Sequence, residues 1–74
     1  MLEKVIDILD EFVAINRNMV TENSKLVADL GLSSLDVINV VVEFEDQFEI
    51  EIPEERIREF VTVGDIVDYL EINA

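Results

Sequence analysis

The chain has 74 residues, of which half are hydrophobic, 18 are Asp or Glu and only 5 are Lys or Arg, and its formal net charge is −13. It contains no histidine and no cysteine, which excludes a histidine general base, a thiolate zinc site, a cysteine nucleophile and a disulfide scaffold. The length fits one small domain over residues 1–74, and the negative charge argues against nucleic acid or an anionic membrane surface and favours a basic protein partner.

The first predicted helix covers residues 2–15. Apolar side chains recur in it at the spacing of one helix face, which predicts that they point toward a core: Val5, Leu9, Phe12 and Val13. Glu3 and Asp7 stand where a secretory signal would need cations and then an apolar run, and no apolar run approaches the about 20 residues of a membrane span. We therefore expect a cytoplasmic protein without a membrane span.

A long, mostly irregular connection is predicted over residues 17–33. Apolar residues recur through it and should pin it to the core: Val20, Leu26, Val27 and Leu30. A loop of this length in so small a domain suggests a function.

The second predicted helix begins at Ser33 and ends near Phe48. Ser33 and Asp36 fit a capping box, in which a hydroxyl and a carboxylate each accept a backbone N–H at the helix start. The β-branched residues of this segment favour a strand, but polar residues at helical spacing favour a helix more strongly.

The remaining residues predict two further helices. Residues 49–52 alternate and could form a strand, although an extended linker fits better because no partner strand is evident. Pro53 suits the first turn of a short helix, and Thr62 with Asp65 forms a second capping box that opens the last helix, which ends near Ile72. The fold class expected is therefore all-α, a small four-helix bundle of three main helices and one short helix.

The acidic residues suggest no catalytic or metal site. Calcium binding would require a spacing that no stretch shows, and a catalytic carboxylate pair would need a cleft for which so small a bundle has little room. A solvated charged surface is the more common interpretation.

Side chains on two sectors of the second helix have different expected roles. One sector should face the core: Val37, Val41, Phe44 and Phe48. The opposite sector is polar and largely acidic: Asp36, Asn39, Glu43, Asp46 and Gln47. Leu35, Ile38 and Val42 fall between the two sectors, where they could form a docking face or simply the edge of the core. The helical wheel does not separate these two alternatives.

Ser34 is the other candidate site residue. Because Ser33 can cap the helix, the Ser34 hydroxyl is left over in the first turn. It cannot be a histidine-activated nucleophile, since the chain has no histidine. It could accept a modification, and a phosphate ester would lie near the positive end of the helix.

Four segments in this order resemble an acyl carrier protein: Val20–Gly31, Ser33–Asp36, Glu43–Pro53 and Thr62–Leu70. The resemblance covers residues 5–72. It implies a non-catalytic carrier of the acyl-carrier fold, in which Ser34 bears a 4′-phosphopantetheine arm added from coenzyme A by a phosphopantetheinyl transferase. The arm ends in a thiol that holds an acyl group as a thioester. We expect Phe12, Leu30 and Ile66 to help shelter that group between the helices.

The resemblance also implies partner-binding residues on and beyond the second helix. The matching acidic positions are Asp36, Glu45, Asp46 and Glu54, and the matching apolar positions are Leu35, Ile38 and Val42. They would meet basic patches on the transferase and on acyl-processing enzymes, with the carrier acting as a monomer.

Two residues depart from the family pattern. Ser33 replaces the usual aspartate and Asn39 replaces a glutamate common in fatty-acid carriers, which leaves room for a specialised polyketide, polysaccharide or peptide-modifying pathway beside fatty acid synthesis.

Two hypotheses compete with the carrier function. One is an acidic interaction module without a prosthetic group, and the other is an inhibitor that mimics a phosphate backbone.

Overall fold

Four α-helices organise the chain, whose computed structural model describes residues 1–73; Ala74, the last residue of the predicted domain, lies outside the described residues. The helices are α1 (Leu2–Phe12), α2 (Ser34–Phe48), α3 (Glu54–Ile57) and α4 (Val63–Asn73), with a short 3-10 helix at Arg17–Met19. α1 packs against α2 and α4, and α3 contacts α2. The prediction of an all-α bundle with three main helices and one short helix is confirmed.

The core is built from the three long helices and the connection between α1 and α2. Its most completely buried side chains are Val5, Leu9, Leu26, Leu32, Val40, Val41, Phe44, Val63, Ile66 and Leu70. Burial of this apolar surface is the main stabilising contribution in a domain with so few favourable ion pairs. The only extended pairing within residues 1–73 is an isolated antiparallel bridge between Lys25 and Thr62.

The end of α1 differs from the prediction. The helix ends at Phe12 and not at residue 15, because Val13 adopts an extended conformation with φ −149° and ψ 141°. Val13 and Ile15 then pack partly buried against the core, with Ala14 exposed between them. This period of two buries both β-branched side chains. Phe12, predicted to point inward, is 37% exposed.

The connection from α1 to α2 is held to the core, as predicted, and three of the four predicted residues hold it, with Leu30 partly buried against the core. Val20 and Leu26 are buried, but Val27 is 58% exposed and that part of the prediction is wrong. Leu32, which was not among the predicted anchors, is buried and donates its backbone N–H to the Leu26 carbonyl at 3.1 Å. Leu26 in turn donates to the Val61 carbonyl at 2.9 Å. These bonds attach the connection to the segment that precedes α4.

The segment between α2 and α3 is a linker and not a strand, as predicted. Glu49 ends α2 in the left-handed conformation, with φ 55°. Ile52 is buried, which anchors the linker to the core. Pro53 occupies the position before α3 and not its first turn.

Candidate functional site

The start of α2 carries the predicted capping box. Ser33 has an extended backbone, and its Oγ accepts the Asp36 N–H at 3.1 Å, while Asp36 Oδ2 accepts the Ser33 N–H at 3.0 Å. Because Ser33 and Asp36 complete the cap between them, the helix start does not need the neighbouring hydroxyl of Ser34. Ser34 is the first residue of α2 and is exposed. Its hydroxyl is therefore accessible to another protein.

A tight turn positions Ser33 and Ser34. Gly31 adopts φ +76°, a left-handed conformation that favours glycine. Just before Gly31, Asp29 Oδ2 accepts the Lys25 N–H at 2.8 Å and holds residues 25–29 in a turn. Buried Leu32 follows and fixes the entry into α2.

A cavity of about 240 Å³ opens beside Ser34. Its walls come from the connection, from α2 and from the segment after Pro53: Val27, Ser34, Val37, Ile38, Ile57, Arg58 and Phe60. Most of these side chains are apolar, and Arg58 is the one charged residue among them. The expectation that Phe12, Leu30 and Ile66 form the shelter is not reflected in this lining, and Ile66 is 1% exposed within the core.

The apolar residues at the edge of the predicted α2 core sector lie on the surface. Leu35 is 66% exposed, Ile38 48% and Val42 51%. They are therefore not part of a closed core, which favours the docking alternative that the helical wheel left open. Inside the bundle, Val41 and Phe44 are buried as predicted, Val37 and Phe48 are only partly buried, and Val40 joins the core unpredicted.

The four acidic residues predicted to bind partners have two kinds of environment. Asp36 and Glu45 are half-buried and carry structural hydrogen bonds: Asp36 caps α2, and Glu45 Oε2 accepts the Ile52 N–H at 2.8 Å. Asp46 and Glu54 are exposed. Sequence reasoning missed the bond of Glu45, because its partner lies seven positions along the chain in a segment without regular structure.

Sequence reasoning also missed the far wall of the cavity. Ile57, Arg58 and Phe60 lie more than 20 positions after Ser34 in the chain. Phe60 packs edge-on against Tyr69 of α4, with ring centroids 5.8 Å apart. The only indication in the sequence was the helical spacing of Ile57 and Phe60, which by itself does not indicate what they face.

Within residues 1–73, no three acidic side chains are arranged to hold a metal ion, and no described helix has the length and apolar character of a membrane span.

Three features make up the site: an accessible hydroxyl, a small apolar cavity with one guanidinium, and a partly acidic surface helix.

Comparison with known proteins agrees with this arrangement. The family described as "Phosphopantetheine attachment site" matches residues 3–70. The acyl carrier protein of Wolinella succinogenes is 41% identical over 73 residues, which are 99% of this chain and 96% of that protein. The acyl carrier protein of Thermotoga maritima is 38% identical over 71 residues, 96% of this chain and 88% of that protein.

A solved structure extends the likeness to three dimensions. The acyl carrier protein from Enterococcus faecalis superposes with a TM-score of 0.85 at 36% identity, covering 99% of this chain and 92% of that chain. Sequence and fold thus agree over nearly the whole length. The chain belongs to the acyl carrier proteins, the phosphopantetheine-binding family of non-enzymatic carriers.

Proposed function

We propose that Ser34 is the residue to which 4′-phosphopantetheine is attached. The observation that carries this proposal is the division of labour at the start of α2, where Ser33 caps the helix and Ser34 stands exposed at its first position. The group fits here because the hydroxyl is accessible and a cavity opens directly beside it. When attached, the arm supplies the thiol that this cysteine-free chain lacks.

The exposed surface of α2 is the proposed docking face for partner enzymes. Leu35, Ile38 and Val42 would supply apolar contact, and the acidic residues would attract a basic patch by long-range electrostatics. Of these, Asp46 and Glu54 are exposed, while Asp36 and Glu45 would act with carboxylates that already accept backbone N–H groups. The partners are a phosphopantetheinyl transferase and acyl-processing enzymes with basic surfaces.

The acyl intermediates carried belong to fatty acid synthesis or to a specialised acyl, polyketide or polysaccharide pathway. The neutral residues Ser33 and Asn39 support the specialised alternative, because the resemblance places acidic residues of fatty-acid carriers at these two positions, and their loss reduces the negative charge offered to a partner. We further propose that residues 1–74 act as one monomeric, cytoplasmic carrier domain.

Intact-mass measurement after coexpression with a promiscuous phosphopantetheinyl transferase tests the attachment. The wild-type chain and Ser33→Ala should both gain the mass of the arm, and Ser34→Ala should gain nothing. Circular dichroism of Ser34→Ala controls for folding, and its helix content should be unchanged. Modification of Ser34→Ala, or its loss in Ser33→Ala alone, would show that Ser34 is the wrong serine.

A further inference from the structure

The cavity beside Ser34 contains one cation, Arg58, at the end of α3. Resting on the proposed attachment at Ser34, we infer that the Arg58 guanidinium binds the phosphodiester of the prosthetic arm. The arm's phosphate would bond directly to the Ser34 Oγ, which would put this anion beside the cavity that Ser34 and Arg58 both line. Farther parts of the arm have no such fixed position.

Charge explains why a cation matters at this place. The chain already carries −13, and the phosphodiester adds another negative charge next to a helix whose first turn contains the Asp36 carboxylate. Like charges on so small a body repel one another. A guanidinium is suited to offset this repulsion because its N–H groups match two phosphate oxygens at once.

Arg58 is also less engaged than two other arginines of the chain. Its Nη2 lies 4.0 Å from Glu54 Oε1, and the side chain is 80% exposed. By contrast, Arg17 Nη2 lies 2.6 Å from Asp7 Oδ1, and Arg56 Nη1 lies 3.1 Å from Glu59 Oε1. An exposed pair as long as that of Arg58 and Glu54 contributes little. Arg58 can therefore exchange this partner for a phosphate at small cost.

The backbone around Arg58 is held in place on both sides. Ile57 packs partly buried against the core, and Phe60 packs edge-on against Tyr69. The exposed guanidinium is thus carried by a fixed wall at the end of a long, flexible side chain.

Arg56 offers a matched control, since it lies on α3 two positions before Arg58 and does not line the cavity. Wild type, Arg58→Gln and Arg56→Gln would be prepared unmodified and modified, with intact mass confirming each state. Proton and nitrogen NMR would follow the arginine Nε–H groups, and phosphorus NMR would follow the phosphodiester. Arms would be loaded from coenzyme A, acetyl-coenzyme A and malonyl-coenzyme A.

Modification with the bare arm should shift the Arg58 Nε resonance and slow its exchange with solvent about two- to fivefold, the factor expected for an exposed charge pair. Arg58→Gln, but not Arg56→Gln, should shift the phosphorus resonance. Both effects should vanish in about 1 M NaCl, where the screening length falls to about 3 Å.

The inference would be overturned if modified wild type, Arg58→Gln and Arg56→Gln gave identical phosphorus resonances and modification left the Arg58 signal of wild type unchanged. So would an Arg58 response seen only with the malonyl arm, because the ligand would then be the carboxylate of the acyl group. A chain that never gains mass would instead refute the attachment itself, and the role of Arg58 with it.

Discussion

The starts of α2 and α4 use the same local motif in opposite surroundings. At α2, the hydroxyl bond of Ser33 to the Asp36 N–H is 3.1 Å and the return bond is 3.0 Å. At α4, the corresponding bonds between Thr62 and Asp65 are 3.2 and 2.9 Å. Two capping boxes of nearly equal geometry therefore open the helix that presents Ser34 and the helix that closes the bundle.

The residues directly after the two caps lie in different environments. Val63 and Gly64, which come after Thr62, are buried, and a Cβ on Gly64 would lie 2.9 Å from the Glu22 carbonyl oxygen. Ser34 and Leu35, which come after Ser33, are exposed. The same capping motif thus supports packing at one helix and accessibility at the other, so the motif alone does not indicate a function.

The closest packing gives the largest expected effect. Gly64→Ala should lower the free energy of unfolding by about 1–3 kcal/mol, because the added methyl group meets backbone that cannot move aside cheaply. Leu35→Ala at the equivalent position of α2 should change it by at most about 0.5 kcal/mol. Urea denaturation measures both. An increase in stability for Gly64→Ala, as helix propensity alone would give, would show that the α4 start is not tightly packed.

The carboxylates of the two caps should also differ. Asp65 Oδ2 accepts N–H groups from both Val61 and Thr62, at 2.8 and 2.9 Å, whereas Asp36 accepts one from Ser33. Asp65→Ala should therefore cost about 1–2 kcal/mol and Asp36→Ala about 0.5–1 kcal/mol. Equal losses in urea denaturation would remove this distinction between the caps.

The contribution of Asp65 should depend on pH. Partial burial raises the pKa of Asp65, but hydrogen bonds from Thr62 and Val61 together outweigh burial and lower it below its ordinary value of 3.8. A lowered folded-state pKa means that the stabilisation is complete above the unfolded pKa and is lost as pH falls through the folded one. The difference in stability between wild type and Asp65→Asn should be constant above about pH 5 and shrink below 3.8. A difference that grows on acidification would contradict this.

Matched valines extend the comparison along the two helices. Val67 of α4 is 4% exposed and Val42 of α2 is 51% exposed. Val67→Ala should cost about 2 kcal/mol, while Val42→Ala should cost less than about 0.5 kcal/mol. In kinetics with the transferase, Val42→Ala should raise the dissociation rate with little salt dependence. If Val42→Ala unfolds the domain, this part of α2 stabilises the fold and the docking hypothesis for it is wrong.

The smallest effect on stability is expected at Asp46. Asp46→Lys should leave the unfolding free energy nearly unchanged and slow association with the transferase, with a defect that shrinks at high salt. Glu45→Lys should slow association as well, but unlike Asp46→Lys it should lower the free energy of unfolding, because it removes the hydrogen bond to the Ile52 N–H. Stopped-flow kinetics at two salt concentrations, beside a thermal melt, separates the two carboxylates. An Asp46→Lys association rate equal to that of wild type would remove the steering role.

Local interactions account for the correct sequence predictions. The two capping boxes were predictable because their partners lie three positions apart, and the identity of Ser34 as the spare hydroxyl came from the same spacing. Its role as the attachment point stays a prediction until the mass experiment is done. The exposure of Leu35 was not predictable, because helical periodicity places a residue on a face without saying whether another element covers that face.

The errors fall where distant segments meet. No local signal separates the predicted end of α1 at residue 15 from the observed end at Phe12, since the core takes up Val13 and Ile15 in an extended chain. The wall of the Ser34 cavity formed by Ile57, Arg58 and Phe60 likewise depends on how α3 packs against α2. The capped helix starts and the effect of net charge could be predicted from the sequence, because capping bonds act within one turn and charge sums over the chain. Burial, helix ends and cavities depend on contacts between segments far apart in sequence, so only the tertiary structure determines them.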